Sequence, residues 1–165
     1  MKKKDVLFIT RAALTAALYV ALTYLSSLVG LSSGVIQFRI SEMLCILPLF
    51  FSGAVAGLTV GCALANLLCG AYLWDILFGT LATFIGALLA RLLRKLPKKL
   101  TFITTLPTIL ANAIIVPFVL IYAYGAEGGY FYFMLTVGVG ELVCATIGGT
   151  ALRFALDKAK FSSDK

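Results

Sequence analysis

The stretch Gln37-Phe38-Arg39-Ile40-Ser41-Glu42 is a short polar patch between two long apolar tracts. Arg39 is the only basic residue between Ala12 and Ala90, and Glu42 directly precedes the apolar run of residues 43–51. An ionisable group inside hydrocarbon costs roughly 2.5–3.5 kcal/mol on insertion scales. Because some function should offset that cost, we predict that this patch forms the outer wall of a binding pocket in a small membrane protein.

The composition supports a membrane location. The chain has 165 residues, of which 61% are hydrophobic and 13% charged, whereas soluble domains average about 45–50% apolar and 25% charged residues. Its apolar tracts repeatedly reach the roughly 18–20 residues needed to cross a bilayer. We therefore predict an all-α integral membrane protein, with residues 1–165 forming a single domain of six transmembrane helices. The first apolar tract follows three lysines but continues to residue 29, which predicts an uncleaved span rather than a signal peptide.

The basic residues predict the topology. The chain has 14 lysines and arginines, and all of them except Arg39 fall in residues 2–11, 91–99 and 153–165. This clustering is typical of the positive-inside rule. Both termini and the 91–99 loop are therefore expected in the cytoplasm, and the clustering explains the net charge of +7 without a nucleic-acid partner.

The spacing of the tracts predicts the individual spans. A first span over residues 6–29 is followed by a loop over 30–39, and the later spans cover 76–93, 101–124 and 130–153. Residues 40–73 number only 34, fewer than the roughly 40 that two straight crossings need. We expect two short or broken helices there, with a turn near Ser52-Gly53 and with Pro48 limiting or kinking the first.

Small residues recur every four positions on two predicted helices. Ala13, Ala17 and Ala21 form such a row on the first, and Gly53, Gly57, Gly61 and Ala65 form another on the third. Rows of this kind let a neighbouring helix approach closely. The alanine row suits either a partner protein or packing within the chain.

Several polar side chains are expected within or near the membrane. Glu141 lies near the middle of the sixth span and Asn112 at a similar depth in the fifth, and a carboxylate at that depth indicates a functional site. Nearer the outer boundary we expect Arg39, Glu42, Asn66 and Asp75. Each of these side chains could bind a ligand or simply tie helices together.

Taken together, the polar residues predict a pocket that is open to the outside and contains more acid than base. Such a pocket suits a neutral or cationic flat heterocycle, because a carboxylate can accept two parallel N–H bonds from one edge of a ring. Trp74 and Phe131 belong to a cluster of aromatic residues at the outer boundary, which is typical of an aromatic belt. One or two of these rings could instead stack on the ligand.

Sequence signatures of catalysis are missing. The chain has no histidine, no P-loop and no G-x-S-x-G or H-E-x-x-H motif, and its four cysteines include no C-x-x-C pair. We expect no catalytic residue, no metal site and no cofactor of its own. Because the chain has no P-loop, any transport driven by ATP requires a partner protein that hydrolyses it.

A group of short motifs resembles a known family. They are Arg39-Ile40-Ser41-Glu42, ANLLCG at 65–70, DILFGTLAT at 75–83, ANA at 111–113 and Gly140-Glu141. With the six-span layout and the alanine-spaced first helix, they resemble the QueT family, substrate-binding S-components of energy-coupling factor (ECF) transporters. The resemblance implies uptake of a queuosine precursor, such as preQ1, queuine or queuosine, across the cell membrane. It also implies a transmembrane coupling protein, for which Ala13, Ala17 and Ala21 form the docking surface, and two cytoplasmic ATPases that use ATP.

In this interpretation Glu141 binds the guanine edge of the substrate, with help from Asn112 and Asn66. Glu42 or Asp75 binds the amine, and Trp74 or Phe131 stacks on the ring. Three alternatives remain: an S-component for another vitamin-like solute, a small membrane enzyme acting on lipid, and a structural membrane protein without a ligand.

Overall fold

The regular structure of the chain is entirely helical in a computed structural model that describes residues 2–31 and 37–161. In chain order the elements are α1 (Lys3–Leu28), a 3₁₀ segment (Ile40–Leu49), α2 (Gly53–Leu68), α3 (Leu73–Leu92), α4 (Thr101–Tyr122) and α5 (Tyr130–Lys158). Two short 3₁₀ turns, Leu93–Lys95 and Lys98–Leu100, join α3 to α4. Helix α5 changes to π-helical geometry over Leu142–Gly148 and then returns to α-helix.

Four of these helices, α1, α3, α4 and α5, are long and apolar enough to cross a membrane. The spans of α3 and α4 include the short 3₁₀ turns that flank them. The 3₁₀ segment and α2 are apolar but shorter. The predictions of an all-α membrane protein and of two short helices within residues 40–73 are therefore confirmed. Six crossings and cytoplasmic termini stay predictions, and residues 32–36 of the predicted 30–39 loop lie outside the described residues.

The 3₁₀ segment occupies the centre of the bundle. Most of its side chains are buried, and Ile46 is completely so. A 3₁₀ helix rises about 2.0 Å per residue against 1.5 Å for an α-helix, so ten residues extend about 20 Å instead of 15 Å. Runs this long are uncommon because 3₁₀ hydrogen bonds have poorer geometry. Packing against the surrounding helices therefore has to maintain this conformation.

The glycine row of α2 packs against α1. A Cβ atom built on Gly57 would lie 2.5 Å from the carbonyl oxygen of Ala12, and one on Gly61 would lie 2.8 Å from the Cβ atom of Tyr19. The alanines of α1 thus divide into two rows. Ala12 and Ala16 face α2, whereas Ala13, Ala17 and Ala21 remain exposed.

Basic side chains mark one end of the bundle. Arg91 donates a hydrogen bond to the carbonyl of Pro48 at 2.9 Å, and Arg153 donates to the hydroxyl of Thr101 at 2.7 Å. An ion pair between Lys98 and Asp157 joins α4 to α5 at the same end. Because α1 begins here as well, the three basic clusters of the sequence converge, and Arg39 lies at the opposite end.

Substituting Gly57 with alanine tests how closely α1 and α2 pack. The new methyl group would overlap the backbone of α1, so we expect Gly57→Ala to lower the free energy of unfolding by about 1–3 kcal/mol, although alanine favours a helix. Gly138→Ala on α5 is the matched control, because its Cβ would lie 3.8 Å from its nearest neighbour. Denaturant unfolding in detergent measures both variants, and equal stability would contradict the close contact.

Candidate ligand-binding site

A polar cavity of about 310 Å³ opens at the end of the bundle away from the basic clusters. The ends of α1, α2 and α4, the start of α3 and the segment before the 3₁₀ helix all contribute to its wall. Its polar side chains are Thr23, Ser27, Gln37, Arg39, Asn66, Asp75 and Tyr124. Small-molecule sites typically measure about 300–1,000 Å³, so the cavity suits a small ligand.

Asp75 is the central acceptor of this wall. Tyr124 donates its hydroxyl to Asp75 Oδ2 at 2.9 Å, and the Arg39 guanidinium lies 3.7 Å from the same oxygen. The other oxygen, Oδ1, is buried and has no hydrogen-bond partner. Since a carboxylate offers about four lone-pair sites, Asp75 keeps acceptor capacity that the protein does not use.

Gly79 lies close to this carboxylate, because it has no side chain to come between Asp75 and Asn66. A Cβ atom at position 79 would lie 3.3 Å from Asp75 Oδ1 and 3.1 Å from Asn66 Nδ2. Asn66 also donates to the backbone carbonyl of Asp75 at 3.4 Å. The end of α2 and the start of α3 are thereby held together beneath the cavity.

The charges at the cavity wall are stable near neutral pH. Burial alone lowers the pKa of the Arg39 guanidinium, but the Asp75 carboxylate outweighs this effect and the pKa rises above its usual value. Burial and the nearby charge of Asp75 raise the pKa of Tyr124 to about 12. Arg39 is therefore a cation and Tyr124 a hydrogen-bond donor under physiological conditions.

Polar side chains of α1 hold the start of the 3₁₀ segment. Tyr19 donates its hydroxyl to Glu42 Oε1, and Thr23 donates to Ser41 at 2.8 Å. Ser26 accepts a bond from the backbone N–H of Ile40 at 3.0 Å. Three successive residues of the segment are thus bonded to one face of α1.

A second group of polar residues is buried between α4 and α5. The side-chain amide of Asn112 donates to the carbonyl of Thr108 at 3.2 Å and lies close to the Glu141 carboxyl. Glu141 Oε2 and Thr108 Oγ1 are buried without a hydrogen-bond partner. Glu141 also ends the α-helical part of α5, where the π-helical section begins, and such sections often mark functional sites.

Gly140 connects this buried group to the cavity. A Cβ atom at position 140 would lie 2.1 Å from the carbonyl oxygen of Gln37. The backbone at Gln37, which lines the cavity, therefore packs directly on α5 beside Glu141. Only glycine permits this approach.

The structure separates the predicted site residues into three groups. Arg39, Asn66 and Asp75 line the cavity, whereas Glu42, Asn112 and Glu141 are buried within the bundle. Trp74 and Phe131, which we predicted could stack on the ligand, are 57% and 73% exposed and do not line the cavity. Trp74 stacks on Phe78, and Phe131 packs against Tyr130.

The sequence analysis did not single out the polar face of α1. Thr15, Tyr19, Thr23 and Ser26 are buried there, and their spacing of four, four and three residues places them on one side of a helix. A polar stripe along one side of an otherwise apolar span indicates that this side faces the protein interior. The spacing of these four residues could therefore have predicted the buried face of α1 from the sequence.

Together these features define an all-helical membrane protein with a polar cavity at one end of its bundle. Residues 9–158 match the family described as QueT transporter, so the chain belongs to the QueT transporter family, as the motifs indicated. This is a family of transporters and not of enzymes.

One relative is the "Queuosine precursor transporter QueT" of Lactococcus lactis subsp. cremoris (strain MG1363), which is 40% identical over 86 residues. That match covers 52% of this chain and 50% of the relative, so the chain spans about half the length of the curated relative it matches. No solved structure matches the chain.

The bond between Tyr19 and Glu42 is open to a direct test. Tyr19→Phe leaves a buried carboxyl without its donor, so we expect the free energy of unfolding to fall by about 1–3 kcal/mol. Tyr24→Phe on the exposed face of α1 makes the same chemical change and should have little effect. Equal stability of the two variants in denaturant titrations would show that the bond is unimportant.

Proposed function

We propose that this protein is the substrate-binding membrane subunit, or S-component, of an ECF-type importer, and that it captures a queuosine precursor from outside the cell. Family membership supports the class of substrate. The observation that carries the proposal is that a carboxyl oxygen of Asp75, at the cavity wall, and one of Glu141, deeper in the bundle, are buried without a hydrogen-bond partner among the described residues. A buried acceptor without a partner costs about 1–3 kcal/mol, so a ligand rich in N–H donors is favoured. preQ1, queuine and queuosine all combine a 7-deazaguanine ring with an amine.

The role proposed for each polar residue follows from how deep it lies in the bundle. The amine end of the ligand lies in the cavity near Asp75 and Asn66, and the guanine edge extends inward to Glu141 and Asn112. Because Gln37 packs on Gly140 beside Glu141, the inner acceptors become accessible when the segment before the 3₁₀ helix moves aside. Glu42 stays bonded to Tyr19 and positions that segment.

We propose six crossings of the cell membrane with both termini in the cytoplasm. The 3₁₀ segment of about 20 Å and α2 of about 24 Å both connect the cavity end to the basic end. The convergence of the basic clusters supports a cytoplasmic location for the basic end, since Lys and Arg accumulate on that side. The cavity then faces outward.

The energy for transport comes from partners in this proposal. A transmembrane coupling protein docks on the exposed groove between α1 and α2, which is lined by Ala13, Ala17, Ala21, Val60 and Leu64 among others. Small side chains there permit close helix–helix contact. Two cytoplasmic ATPases hydrolyse ATP, since this chain has no P-loop.

The test of the substrate class is thermal unfolding of the detergent-purified protein with preQ1, queuine, guanine and several vitamins. A ligand at 100 times its Kd adds roughly 2.7 kcal/mol of stability. We expect stabilisation by the 7-deazaguanines and none by the vitamins. If only a vitamin stabilises the protein, the proposed substrate class is wrong. If none of the compounds stabilises it, the proposed capture function is wrong.

Replacing Glu141 tests the inner part of the site. Glu141→Gln keeps the shape but removes one strong acceptor, so we expect the affinity for preQ1 to fall by at least tenfold, or about 1.4 kcal/mol. Glu127→Gln in the exposed turn before α5 is the control and should not change the affinity. Isothermal titration calorimetry measures both, and a smaller loss for Glu141→Gln would remove its assigned role.

Filling the groove tests the docking surface. Ala17→Trp should abolish co-purification of the coupling protein from co-expressing cells while preserving ligand affinity, because a large side chain prevents close approach. Leu14→Trp is the control, since Leu14 is exposed on α1 but lies outside the groove. Normal assembly of the Ala17→Trp variant would show that the partner binds elsewhere.

A further inference from the structure

The polar cluster around the cavity has an excess of acid. Arg39 forms an ion pair with Asp75, and Glu42 and Glu141 are the other acids of this cluster. All three acids are more than 90% buried, so the cluster holds one guanidinium and three carboxyl groups. Buried carboxylates without a balancing cation are costly, since desolvation is not repaid.

The ion pair between Arg39 and Asp75 is loose. Its N···O distance of 3.7 Å exceeds the roughly 2.7–2.9 Å of a charge-assisted hydrogen bond. The second contact of the guanidinium, to Gln37 Oε1, is also long at 3.4 Å. Arg39 therefore compensates the charge of Asp75 without using the acceptor capacity of its carboxylate.

The Asp75 carboxylate can accept a further hydrogen bond from a second cation. The Tyr124 hydroxyl and the Arg39 guanidinium both approach Oδ2, while Oδ1 has no partner. Asp75 also lines the cavity directly. A compact ammonium group entering the cavity can form the close contact with this carboxylate that the guanidinium does not.

We propose that the cavity selects ligands by charge: a protonated aliphatic amine on a flat heterocycle binds the Asp75 carboxylate and takes the place of Arg39 beside it. Arg39 is thus the internal counter-ion of the empty site and competes with the ligand cation. A neutral ligand of the same shape cannot form an ion pair with Asp75 and binds more weakly. This inference rests on the proposed function, because it specifies which members of that substrate class the site accepts.

The experiment compares two 7-deazaguanines that differ in charge. The 7-aminomethyl compound carries a protonated amine, whereas the 7-cyano compound is neutral and of similar size. Calorimetric Kd values are measured for the full-length protein in detergent. We expect the wild-type protein to prefer the cation by at least about tenfold, or 1.4 kcal/mol.

Two variants test whether the preference for the cationic ligand comes from Asp75 and Arg39. Asp75→Asn keeps the side-chain shape and removes the charge, so the preference should fall to about threefold or less, through weaker binding of the cation. Arg39→Gln removes the competing cation, so the preference should increase by at least about threefold, or 0.65 kcal/mol. The opposite signs distinguish competition from a purely structural role of either residue.

Each outcome decides the matter. Equal affinity of the wild-type protein for the two compounds overturns charge selection but leaves the proposed function intact, whereas binding of neither overturns both. Equal losses for both compounds in Asp75→Asn, or weaker cation binding in Arg39→Gln, also overturn the proposal. If Asp75→Asn does not fold, the wild-type preference and the Arg39→Gln variant decide.

Discussion

The bond from Tyr19 to the Glu42 carboxyl connects α1 to the start of the 3₁₀ segment, the element around which the other helices pack. The segment fills the centre of the bundle in a conformation that has little intrinsic stability at this length. Thr23 and Ser26 reinforce the same junction. Because the segment begins just after Arg39, the same junction holds the backbone of Arg39 at the cavity wall. Core packing and the ligand site therefore share one polar anchor.

Much of the fold could be predicted from the sequence. Counting residues between 40 and 73 predicted two shortened helices, since the length of an apolar tract limits how it can cross a bilayer. The clustering of Lys and Arg predicted that the ends of several helices would converge at one end of the bundle. The π-helical section of α5 was not predicted, and within it Gly148 packs against Met43, a residue distant in sequence.

The candidate site was predicted less completely. Arg39, Asn66 and Asp75, which were predicted to bind a ligand, line the cavity, because charged and amide side chains in apolar surroundings need a polar environment. Trp74 was ambiguous, since an aromatic residue at the membrane boundary has the same sequence context whether it faces lipid or a ligand. Tyr124, which was not among the predicted site residues, donates to Asp75. Side-chain direction decides these cases, and it depends on how the helices rotate against one another.

The unequal lengths of α1 and α2 affect the surrounding bilayer. Helix α1 has 26 residues and extends about 39 Å, whereas α2 has 16 and extends about 24 Å. In the proposed six-crossing topology both helices lie in a hydrocarbon layer of about 30 Å, so the longer helix tilts and the bilayer thins around the shorter one, at a fraction of a kcal/mol per Å of mismatch. These two helices form the exposed alanine-lined groove. In the proposed assembly, a partner helix that replaces lipid at this face removes that hydrophobic mismatch.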